Sequence, residues 1–356
     1  MIIEIEPLDT LFFKDGKPFS MGEETWAEGI FPPYPSTIYG ALRSAYFANN
    51  INELNKAKEK DDPTKDLKIK GIYLKLDDDI CFPVPLDCVK DKDKDKDITY
   101  TLKLKTKNNI ISSYPKYLNF LLTANEKVEN VSQVFFSDID FEKYLNGFDE
   151  FFYSELKNYL FNEPKIGITR SKDTLSTEEG KIYRVDMYRT KNLKLVVDFE
   201  NLEIPQFGFL KLGGESKSAR YKNINKEISV EPAKFNKYDK CFKLVLTTPA
   251  IFKENGWIPT WIDKDTLEGV IGGLKVKLIS ASIGKPIVIG GFDIKEKKPK
   301  PSYKAVPTGS VYYFKLLEGN VNDIVNIFHE NSISEIYSEQ GFGICYVGKF
   351  NMEVEE

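Results

Sequence analysis

Histidine is nearly absent from this chain, since His329 is the only one among 356 residues. Histidine is the side chain most often used for proton transfer near neutral pH, so its scarcity argues against histidine-based hydrolysis. His329 falls late in a predicted helix at 321–329, where we expect a surface or capping position. The sequence also lacks a P-loop, a nucleophile elbow and any zinc-ligand spacing. We therefore predict that the protein is not an enzyme and uses no metal or cofactor.

Cysteine and long apolar runs are scarce as well. The four cysteines contain no C-x-x-C pair, which argues against a disulfide framework and predicts buried or inert thiols: Cys81, Cys88, Cys241 and Cys345. No apolar run is long enough to span a bilayer, and the start of the chain lacks the basic flank of a secretory signal. Hydrophobic residues still make up 41% of the sequence, enough for a sizeable core. We expect a globular, cytoplasmic protein, with two domains for this length.

Two other routes to chemistry stay open from the sequence. Asp77, Asp78 and Asp79 carry the oxygen ligands that Mg²⁺ prefers. Adjacent residues between two strands point to different sides, however, so a charged turn is the favoured interpretation. RNA cleavage by tyrosine and lysine needs only orientation of the 2′-hydroxyl and stabilisation of the leaving group, and the sequence does not exclude it.

Arginine is the second scarce residue, with five among 50 basic side chains: Arg43, Arg170, Arg184, Arg189 and Arg220. Arginine binds phosphate through a planar fork and stacks on bases. Four arginines within about fifty residues of a lysine-rich chain therefore suggest positions where the planar guanidinium, and not only its charge, is needed. Residues 165–222 hold 12 basic and 8 acidic side chains, a balance of +4 in a chain of net charge −4, which leaves −8 for the remainder. The cluster predicts a local anion-binding patch, although a structural salt bridge is the commoner explanation for any single arginine.

The first half of the chain is predicted to contain strands around one helix. Alternation predicts a strand at 1–6, and apolar spacing predicts a helix over 37–49 with Ser36 or Thr37 as its N-cap. Further strands are predicted at 69–76, 80–84, 181–189 and 193–199. The Lys/Asp tract at 90–97 is typical of a solvated loop or hairpin tip.

Two insertions are predicted within this half. Residues 109–162, in a lobe at about 87–162, are predicted to be partly helical, with an apolar stripe in the core formed by Phe148, Phe151, Phe152, Leu156, Tyr159 and Leu160. Residues 166–190 have a polar centre between strand-like ends, which predicts a protruding β-hairpin.

The second half has the order strand, helix-like segment, strands, helix, strand. Its strands are predicted at 242–247, between 273 and 292, and at 310–316 and 343–350. This is the split β-α-β order of ferredoxin-like domains. We therefore predict an α+β fold of two tandem ferredoxin-like (RRM-like) domains, at 1–235 and 236–356, with the boundary near 225–238.

Four short motifs occur in a fixed order along nearly the whole chain. They are 35–43 (PSTIYGALR), 166–170 (IGITR), 212–216 (LGGES) and 340–348 (QGFGICYVG). A glycine pair alone is common in turns, but the ordered combination is specific. Together the motifs resemble the RAMP superfamily and, within it, the third subunit of the type III-B CRISPR Cmr effector complex.

This resemblance implies a protein that holds the 5′ handle of CRISPR RNA (crRNA) beside a large polymerase-palm subunit and a backbone subunit, while other subunits cut target RNA. It implies RNA contacts on the hairpin (Arg170, Lys172, Arg184 and Arg189), in a glycine-rich phosphate site (Gly213, Gly214, Lys217 and Arg220), at a helix start (Ser36, Thr37 and Arg43) and in a C-terminal glycine-rich loop (Gly341 and Gly343). Glycines let backbone amides approach phosphates, and a helix N-terminus attracts anions, although a plain cap is an equal alternative at Ser36 and Thr37. Tyr183, Tyr188 and Tyr221 interleave with the cations, where tyrosines can stack bases; packing is favoured for Tyr183.

Three alternative functions stay open from the sequence. One is a metal-independent RAMP endoribonuclease that processes precursor crRNA, because such enzymes share the C-terminal glycine-rich loop, although their usual histidine is missing from the first half. A second is a chiefly structural subunit whose arginines contact protein carboxylates. A third is the type III-A paralogue in the same position. The acidic balance outside 165–222 favours a narrow RNA contact and surfaces that face neighbouring proteins.

Overall fold

The computed structural model describes residues 1–14, 26–27, 29–92, 97–106, 120–124, 127–170, 174, 176–236, 238–293, 295–350 and 352–353. Its described residues form many strands and few helices, which confirms the predicted α+β class. None of the helices within these ranges is both long enough and apolar enough to span a membrane.

The α-helices of the described residues are α1 (Pro35–Asn49), α2 (Asp138–Leu145) and α3 (Val321–Phe328), and short 3-10 helices lie at Ile51–Lys56, Leu156–Asn158 and Ser338–Gln340. The strands in the first part of the chain are β1 (Ile2–Pro7), β2 (Trp26–Ala27), β3 (Lys68–Leu76), β4 (Asp79–Pro83), β5 (Cys88–Asp91), β6 (Ile98–Thr101), β7 (Lys103–Thr106), β8 (Phe120–Thr123), β9 (Val128–Asn130), β10 (Val134–Ser137), β11 (Glu150–Phe152), β12 (Ser154–Glu155), β13 (Leu160–Arg170), β14 (Thr177–Thr190), β15 (Leu193–Glu200), β16 (Phe207–Lys211) and β17 (Ser218–Asn223). The later strands are β18 (Cys241–Leu246), β19 (Glu268–Ile271), β20 (Leu274–Ser282), β21 (Ile287–Ile289), β22 (Phe292–Asp293), β23 (Lys298–Pro299), β24 (Tyr303–Ala305), β25 (Val311–Glu318), β26 (Asn331–Ser332), β27 (Ile344–Gly348) and β28 (Met352–Glu353).

The chain divides into two compact units, each assembled from three segments. Unit 1 comprises Met1–Asp77, Lys157–Lys226 and Val288–Lys304, and unit 2 comprises Asp78–Leu156, Glu227–Ile287 and Ala305–Glu356. The segments of the two units therefore alternate along the sequence. The predicted domains, 1–235 and 236–356, stay a prediction.

Five strands of unit 1 lie side by side in the order β3-β15-β1-β17-β16, with every neighbouring pair antiparallel. Because successive strand residues point to opposite faces, Ile3, Ile5 and Leu195 share one face, and all three are buried. Strands β1 and β3 both run antiparallel to β15, so they are parallel to each other, and α1 lies in the chain between them. Helix α1 contributes Ile38 and Leu42 to the buried residues.

Helix α1 begins two residues earlier than predicted. Its N-cap residue is Tyr34, which makes no side-chain capping bond, and Pro35 occupies the first turn. Proline suits this position because its ring presets φ and the hydrogen that it lacks would have no partner in the helix. Ser36 and Thr37 therefore lie inside the helix, and the prediction that either is the N-cap is wrong.

Strands β13 and β14 form the predicted hairpin. They pair antiparallel from Leu160↔Thr190 to Arg170↔Thr177, with an irregularity after Ile168. The ring of Tyr183 lies over Gly167 on the opposite strand, where a β-carbon would overlap it. This contact is the packing role predicted for Tyr183.

Unit 2 contains a six-stranded antiparallel sheet in the order β19-β20-β25-β18-β27-β26. Strands β25 and β27 flank β18 and are parallel to each other, with α3 in the chain between them. The core on this sheet is rich in aromatic side chains, and Phe242, Tyr312 and Phe314 are fully buried or nearly so. Aromatic side chains bury a large apolar area each, which suits a sheet that has little helix to cover it.

The predicted partly helical lobe contains α2 and the 3-10 helix Leu156–Asn158 among its strands, so its partly helical character is confirmed, but its predicted apolar stripe is wrong. Helix α2 is the single α-helix among the described residues of 87–162, and residues 93–96, 107–119 and 125–126 lie outside the described part. Phe151 and Leu156 are buried, but Phe148 and Phe152 are exposed. The reason is the period of a strand, which sends Phe151 and Phe152 to opposite faces, whereas the helical stripe placed both in the core.

A buried charged cluster lies in unit 2. The Asp87 carboxylate accepts hydrogen bonds from Tyr144, at 2.8 Å to each oxygen, and from Tyr313 at 2.5 Å. Lys243 Nζ lies 3.8 Å from the same carboxylate and 3.3 Å from the centroid of the Tyr144 ring. Burial lowers the pKa of Lys243, and Asp87 opposes that shift. Burial, together with Asp87, raises the pKa of both tyrosines, so they stay protonated and donate.

Candidate RNA interface

Several of the predicted RNA-binding cations lie in unit 1 where β1 ends. The segment that follows β1, residues 8–14, runs between the base of the hairpin and the loop before β17. Leu8 N donates to Ser218 O at 3.2 Å, and Leu11 and Tyr188 exchange backbone hydrogen bonds of 2.7 and 2.8 Å. Side chains from the hairpin and from the loop at 212–217, which we call the glycine-rich loop, therefore meet around this segment although they are distant in sequence.

Arg220 lies on β17 directly opposite Glu6 on β1. Its Nε and Nη2 donate to Glu6 Oε2 at 3.0 and 2.8 Å. The Arg220 side chain is 59% exposed. A guanidinium has five N–H groups, so Glu6 orients Arg220 and leaves other donors for a ligand.

Arg189 lies on β14 and pairs with carboxylates from two other segments. Its Nε and Nη2 donate to the two oxygens of Glu163 on β13, the second at 2.8 Å. Its Nη2 also lies 3.6 Å from Asp9 Oδ1. The hydrogen bond from Arg189 lowers the pKa of the Glu163 carboxyl, which therefore stays ionised at neutral pH.

Lys217 completes this group, because its Nζ donates to Asp9 Oδ2 at 2.6 Å. Hydrogen bonds from Lys217 and from the backbone of Thr10 lower the pKa of Asp9. Asp9 thus holds one cation from the glycine-rich loop and one, Arg189, from the hairpin. We call Asp9, Lys217 and Arg189 the Asp9 cluster.

The glycine-rich loop is shaped by contacts within the chain. Gly213 has a φ of +79°, and a β-carbon there would overlap the Phe12 carbonyl oxygen. Gly214 N donates to the same oxygen at 2.8 Å. The fold itself therefore requires glycine at 213, and phosphate binding by Gly213 and Gly214 stays a prediction.

The cations at this site are balanced by carboxylates. Three cations (Arg189, Lys217 and Arg220) face three carboxylates (Glu6, Asp9 and Glu163). The sequence count over 165–222 gave a surplus because all three carboxylates lie outside that range, Glu6 and Asp9 in the N-terminal segment and Glu163 just before residue 165. Arg189 and Arg220 are exposed, whereas the Lys217 side chain is only 18% exposed. Exposed ion pairs contribute only about 0–1 kcal/mol, so a phosphate can compete for the two arginines at small cost.

Three other predicted RNA-binding residues belong to the predicted hairpin: Arg170, Lys172 and Arg184. Arg184 Nε donates to Asp186 Oδ1 at 3.0 Å, two residues along the same strand. Arg170 ends β13 with its side chain outside the described part of the chain, and Lys172 lies outside it altogether. RNA contact by these three residues stays a prediction.

Arg43 on α1 has a structural role in unit 1. Its Nε donates to Thr64 Oγ1 at 2.7 Å and its Nη2 to Asp62 Oδ2 at 2.5 Å. Burial raises the pKa of Asp62, but hydrogen bonds from Thr64 and from Lys58 N, with the charge of Arg43, outweigh it and the net shift is downward. This bidentate attachment accounts for an arginine at position 43 without RNA.

Gly341 and Gly343 belong to unit 2 and adopt left-handed backbone angles, with φ of +89° and +72°. Gly341 N donates to Ser338 O at 3.1 Å, and Gly343 N donates to Pro249 O at 2.7 Å. A β-carbon at Gly343 would lie 2.5 Å from Ser334 N. The loop therefore needs both glycines to form, and their amides are engaged within the chain; phosphate binding there stays a prediction.

Sequence reasoning missed two aromatic residues on β16. Phe207 and Phe209 are 78% and 68% exposed, whereas Leu210 between them and the loop is buried. The signal was present in the alternation of Phe-Gly-Phe-Leu, which sends both phenylalanines to the face opposite Leu210. Among the tyrosines that stood beside the arginines, Tyr221 is buried, and the Tyr188 hydroxyl donates to Gly29 O at 2.7 Å, so both pack within unit 1.

A second charge centre lies on the same face of the unit 1 sheet. Glu4 on β1 is only 3% exposed and binds three lysines, with Nζ–Oε distances of 2.7 Å to Lys194, 3.2 Å to Lys75 and 3.4 Å to Lys222. Burial raises the pKa of Glu4, but hydrogen bonds and charges from Lys194 and Lys75 outweigh it and lower the pKa overall. Glu4 is therefore ionised at neutral pH, and its lysines are held on the sheet face.

The residues with potential for acid–base or metal chemistry are engaged in structure. His329 is the C-cap residue of α3, as predicted, but it is partly buried. Its Nε2 lies 2.7 Å from Val230 O, and its Nδ1 accepts a hydrogen bond from Val347 N. Burial lowers the pKa of His329. Asp77 lies in the predicted turn and accepts hydrogen bonds from Tyr159 and Asn192. Within the described residues, no group of three or more His, Cys, Asp or Glu side chains is placed to hold a metal ion. The four cysteines are free, and three of them are buried, as expected for buried thiols.

A family model described as CRISPR-associated protein (Cas_Cmr3) matches residues 3–350. No curated protein matches the chain. Among solved structures, a chain of the type III-B Cmr-beta bound to cognate target RNA and AMPPnP (cryo-EM, state 1) is 17% identical, with 88% of this chain and 86% of that chain covered and a TM-score of 0.53. A chain of the type III-B Cmr-beta bound to cognate target RNA (cryo-EM) is 16% identical, with 91% and 88% covered and a TM-score of 0.52. At these identities the structures show a shared fold, whereas the family model spans nearly the whole sequence, so this chain belongs to the Cas_Cmr3 family of CRISPR-associated proteins.

Proposed function

We propose that this chain is a non-catalytic crRNA-binding subunit of a type III-B CRISPR interference complex in the cytoplasm. It holds the 5′ handle of the crRNA and docks the large polymerase-palm subunit and the backbone subunit. Family membership supports the assembly. The observation that carries the RNA contact is the Asp9 cluster, in which cations from the hairpin and from the glycine-rich loop meet beside Arg220 on β17.

The proposed architecture is two ferredoxin-like folds in tandem, roughly 1–235 and 236–356. The strand orders support it, because β3-β15-β1-β17 in unit 1 and β20-β25-β18-β27 in unit 2 have the same sequence of first, second, third and fourth strands. Each unit contains one split β-α-β, formed around α1 in unit 1 and around α3 in unit 2. A ferredoxin-like domain has two helices, and each proposed fold contains one of them among its described residues: α1 in the first and α3 in the second.

The ion pairs at the site suit a ligand that arrives with its own negative charge. Carboxylates hold Arg189, Lys217 and Arg220 in place, so the side-chain entropy of these long cations is reduced before RNA binds. Phosphates then share or replace the carboxylates, which costs little at Arg189 and Arg220 because these two arginines are exposed. The interface acts by positioning the RNA backbone, which is the common role of phosphate contacts.

A non-catalytic role is supported by the state of the candidate catalytic groups. His329 is held between two backbone groups. Tyr144 and Tyr313 donate hydrogen bonds to the buried Asp87 carboxylate, and the pKa of each tyrosine is raised. General acid–base catalysis needs a group that reaches the substrate and titrates near the working pH. All three side chains are engaged within the fold, and the raised pKa of the two tyrosines moves their titration further from neutral pH.

The test is binding and integrity of labelled 5′-handle RNA with the full chain, alone and in the assembled complex, across a salt series. We expect binding that weakens with salt and RNA that stays intact with Mg²⁺ or EDTA. Arg189→Gln and Arg220→Gln should each flatten the salt dependence by about one phosphate contact, a slope change of roughly 0.7 for a single strand. Lys275→Gln, which removes a partly exposed cation of unit 2, is the matched control.

Two results would contradict the proposal. Cleavage of the RNA that persists in EDTA would favour the metal-independent endoribonuclease. Unchanged RNA affinity and salt slope in both arginine variants would favour the structural subunit, whose arginines serve protein carboxylates only.

A further inference from the structure

Strand β16 presents two exposed rings on one face. Phe207 and Phe209 are the residues on either side of Gly208, and the Tyr221 hydroxyl would lie 2.8 Å from a β-carbon at that glycine. The buried Tyr221 ring thus packs against β16 from the opposite face, and the two phenylalanines point away from it. Exposed aromatic side chains beside a groove are typical of a contact site.

Two cations accompany the rings in register. Lys222 lies opposite Phe207 and Arg220 lies opposite Phe209 on the neighbouring strand β17. Directly opposite residues of an antiparallel pair share a face, with β-carbons about 4.5–5.5 Å apart. Lys222 is 62% exposed, similar to Arg220. Rings and cations together line a groove of about 380 Å³ on the unit 1 sheet.

The charge of the groove favours an anionic ligand. Its lining includes the cations Lys194, Arg220 and Lys222 and the carboxylates Glu4 and Glu6. The three cations outnumber the two carboxylates by one, so the lining carries a net positive charge. An apolar partner alone would gain nothing from these cations, whereas an anion with flat apolar faces would use both features.

The spacing of the rings favours unstacked bases. Phe207 and Phe209 are two residues apart on one strand, about 6.6–6.8 Å along it. This is about twice the 3.4 Å rise of a stacked strand, so neighbouring bases that contact both rings must separate from each other. Single-stranded RNA allows that separation, and its bases commonly stack on aromatic side chains of a sheet.

We propose that Phe207 and Phe209, with Lys222 and Arg220 opposite them, form a stacking site for two unpaired bases of single-stranded RNA. The rings contact the bases, and the cations contact the adjoining phosphates. This inference rests on the proposed RNA-binding function and deepens it, because it assigns base contacts to the sheet face in addition to the phosphate contacts at the Asp9 cluster.

The experiment uses the full chain and an eight-nucleotide single-stranded RNA that carries 2-aminopurine, whose fluorescence falls when the base stacks. We expect quenching with the parent chain. Phe207→Leu and Phe209→Leu should each weaken binding about 5- to 150-fold and reduce quenching. Phe207→Tyr keeps a ring and should retain both signals. Phe292→Leu, another exposed phenylalanine of unit 1, is the matched control.

The outcomes separate the two proposals. If the parent binds RNA and Arg189→Gln weakens it, but the leucine variants keep full affinity and quenching, the stacking site is wrong and the proposed function stands. If the leucine variants lose only co-purification with another subunit, the face docks a protein and the stacking site is again wrong. If the parent binds no RNA either alone or in the complex, both proposals are wrong.

Discussion

Asp87 and Asp9 are aspartates of similar chemistry in opposite surroundings. Asp87, in unit 2, is fully buried and is bound by two tyrosine hydroxyls with Lys243 nearby. Asp9, in unit 1, is more than half exposed and binds Lys217 and Arg189. The charges around Asp87 have no access to solvent and can serve only the fold, whereas the cations around Asp9 can exchange their partner.

Glu4 stands between these extremes. Its carboxylate is buried, but of its three lysines Lys222 is largely exposed. A buried anion therefore anchors cations whose other side faces a groove. Exposure of the cations, and not the number of ion pairs, therefore decides whether a charge cluster can take part in recognition or serves stability alone.

The largest effect is expected for Asp87→Asn. Removing one partner of a buried pair leaves Lys243 uncompensated and should lower the free energy of unfolding by about 3–5 kcal/mol. Urea denaturation measures this. Glu268→Gln, which breaks the partly exposed pair with Lys275, is the control and should cost less than about 1 kcal/mol. Equal losses in the two variants would remove the distinction between buried and exposed clusters.

Tyr313→Phe should have the next largest effect. The change removes one hydrogen bond to the buried Asp87 carboxylate and should lower the free energy of unfolding by about 1.5–3 kcal/mol, the range for a bond to a charged group. The neighbouring Tyr312→Phe removes a bond to the neutral carbonyl of Trp257 and should cost about 1 kcal/mol. A smaller loss at Tyr313 than at Tyr312 would show that the carboxylate does not depend on this donor.

Glu4→Gln should destabilise the chain by about 1–3 kcal/mol at neutral pH, and the loss should depend on pH. The pKa of Glu4 is lowered from 4.5 in the folded chain. Its ionised form therefore stabilises the fold fully above about 4.5, and this contribution is lost as the pH falls through the folded pKa. The difference in unfolding free energy between parent and variant should shrink from about pH 6 to pH 3. Growth of the difference on acidification would contradict the assignment.

The smallest effect on stability is expected for Arg189→Gln, below about 1 kcal/mol by thermal or urea unfolding, because its pairs are exposed. Its effect on RNA should be clear by comparison. Glu163→Gln removes the charge of one of the two carboxylates that hold Arg189 and leaves the contact with Asp9, so it should strengthen RNA binding while Arg189→Gln weakens it. Changes in the same direction would mean that the pair itself, and not the cation, supports binding.

Much of the fold was predictable from local patterns. The helix at 37–49, the hairpin around 166–190 and the last helix at 321–329 follow from apolar spacing and turn residues, and the structure confirms them within a few residues. The apolar stripe of the lobe could not be predicted correctly, because Phe151, Phe152 and Leu156 fit a helical stripe and a pair of short strands equally well over so few residues. Pairing with a strand distant in sequence determines that Phe151 and Phe152 lie in a strand.

The cations of the candidate site could be predicted from the sequence, but the carboxylates that pair with them could not. Arg189, Lys217 and Arg220 could be singled out because arginine is scarce and the glycine-rich motif is recognisable. Glu6 and Asp9, which balance them, lie about two hundred positions away in sequence and meet them only through strand pairing. No local pattern encodes such a contact. The ring pair on β16 was readable from alternation, but its exposure depends on β16 lying at the edge of the sheet.

Asp9 gives the two parts of the site a common thermodynamic link. A phosphate that draws Arg189 away would leave Asp9 to Lys217 alone, and the reverse holds for a phosphate at Lys217. The free energies contributed by the two cations would then be non-additive, and a double-mutant cycle between them would report a coupling that disappears in Asp9→Asn. In this way one acidic side chain would make phosphate binding at the hairpin depend on phosphate binding at the loop.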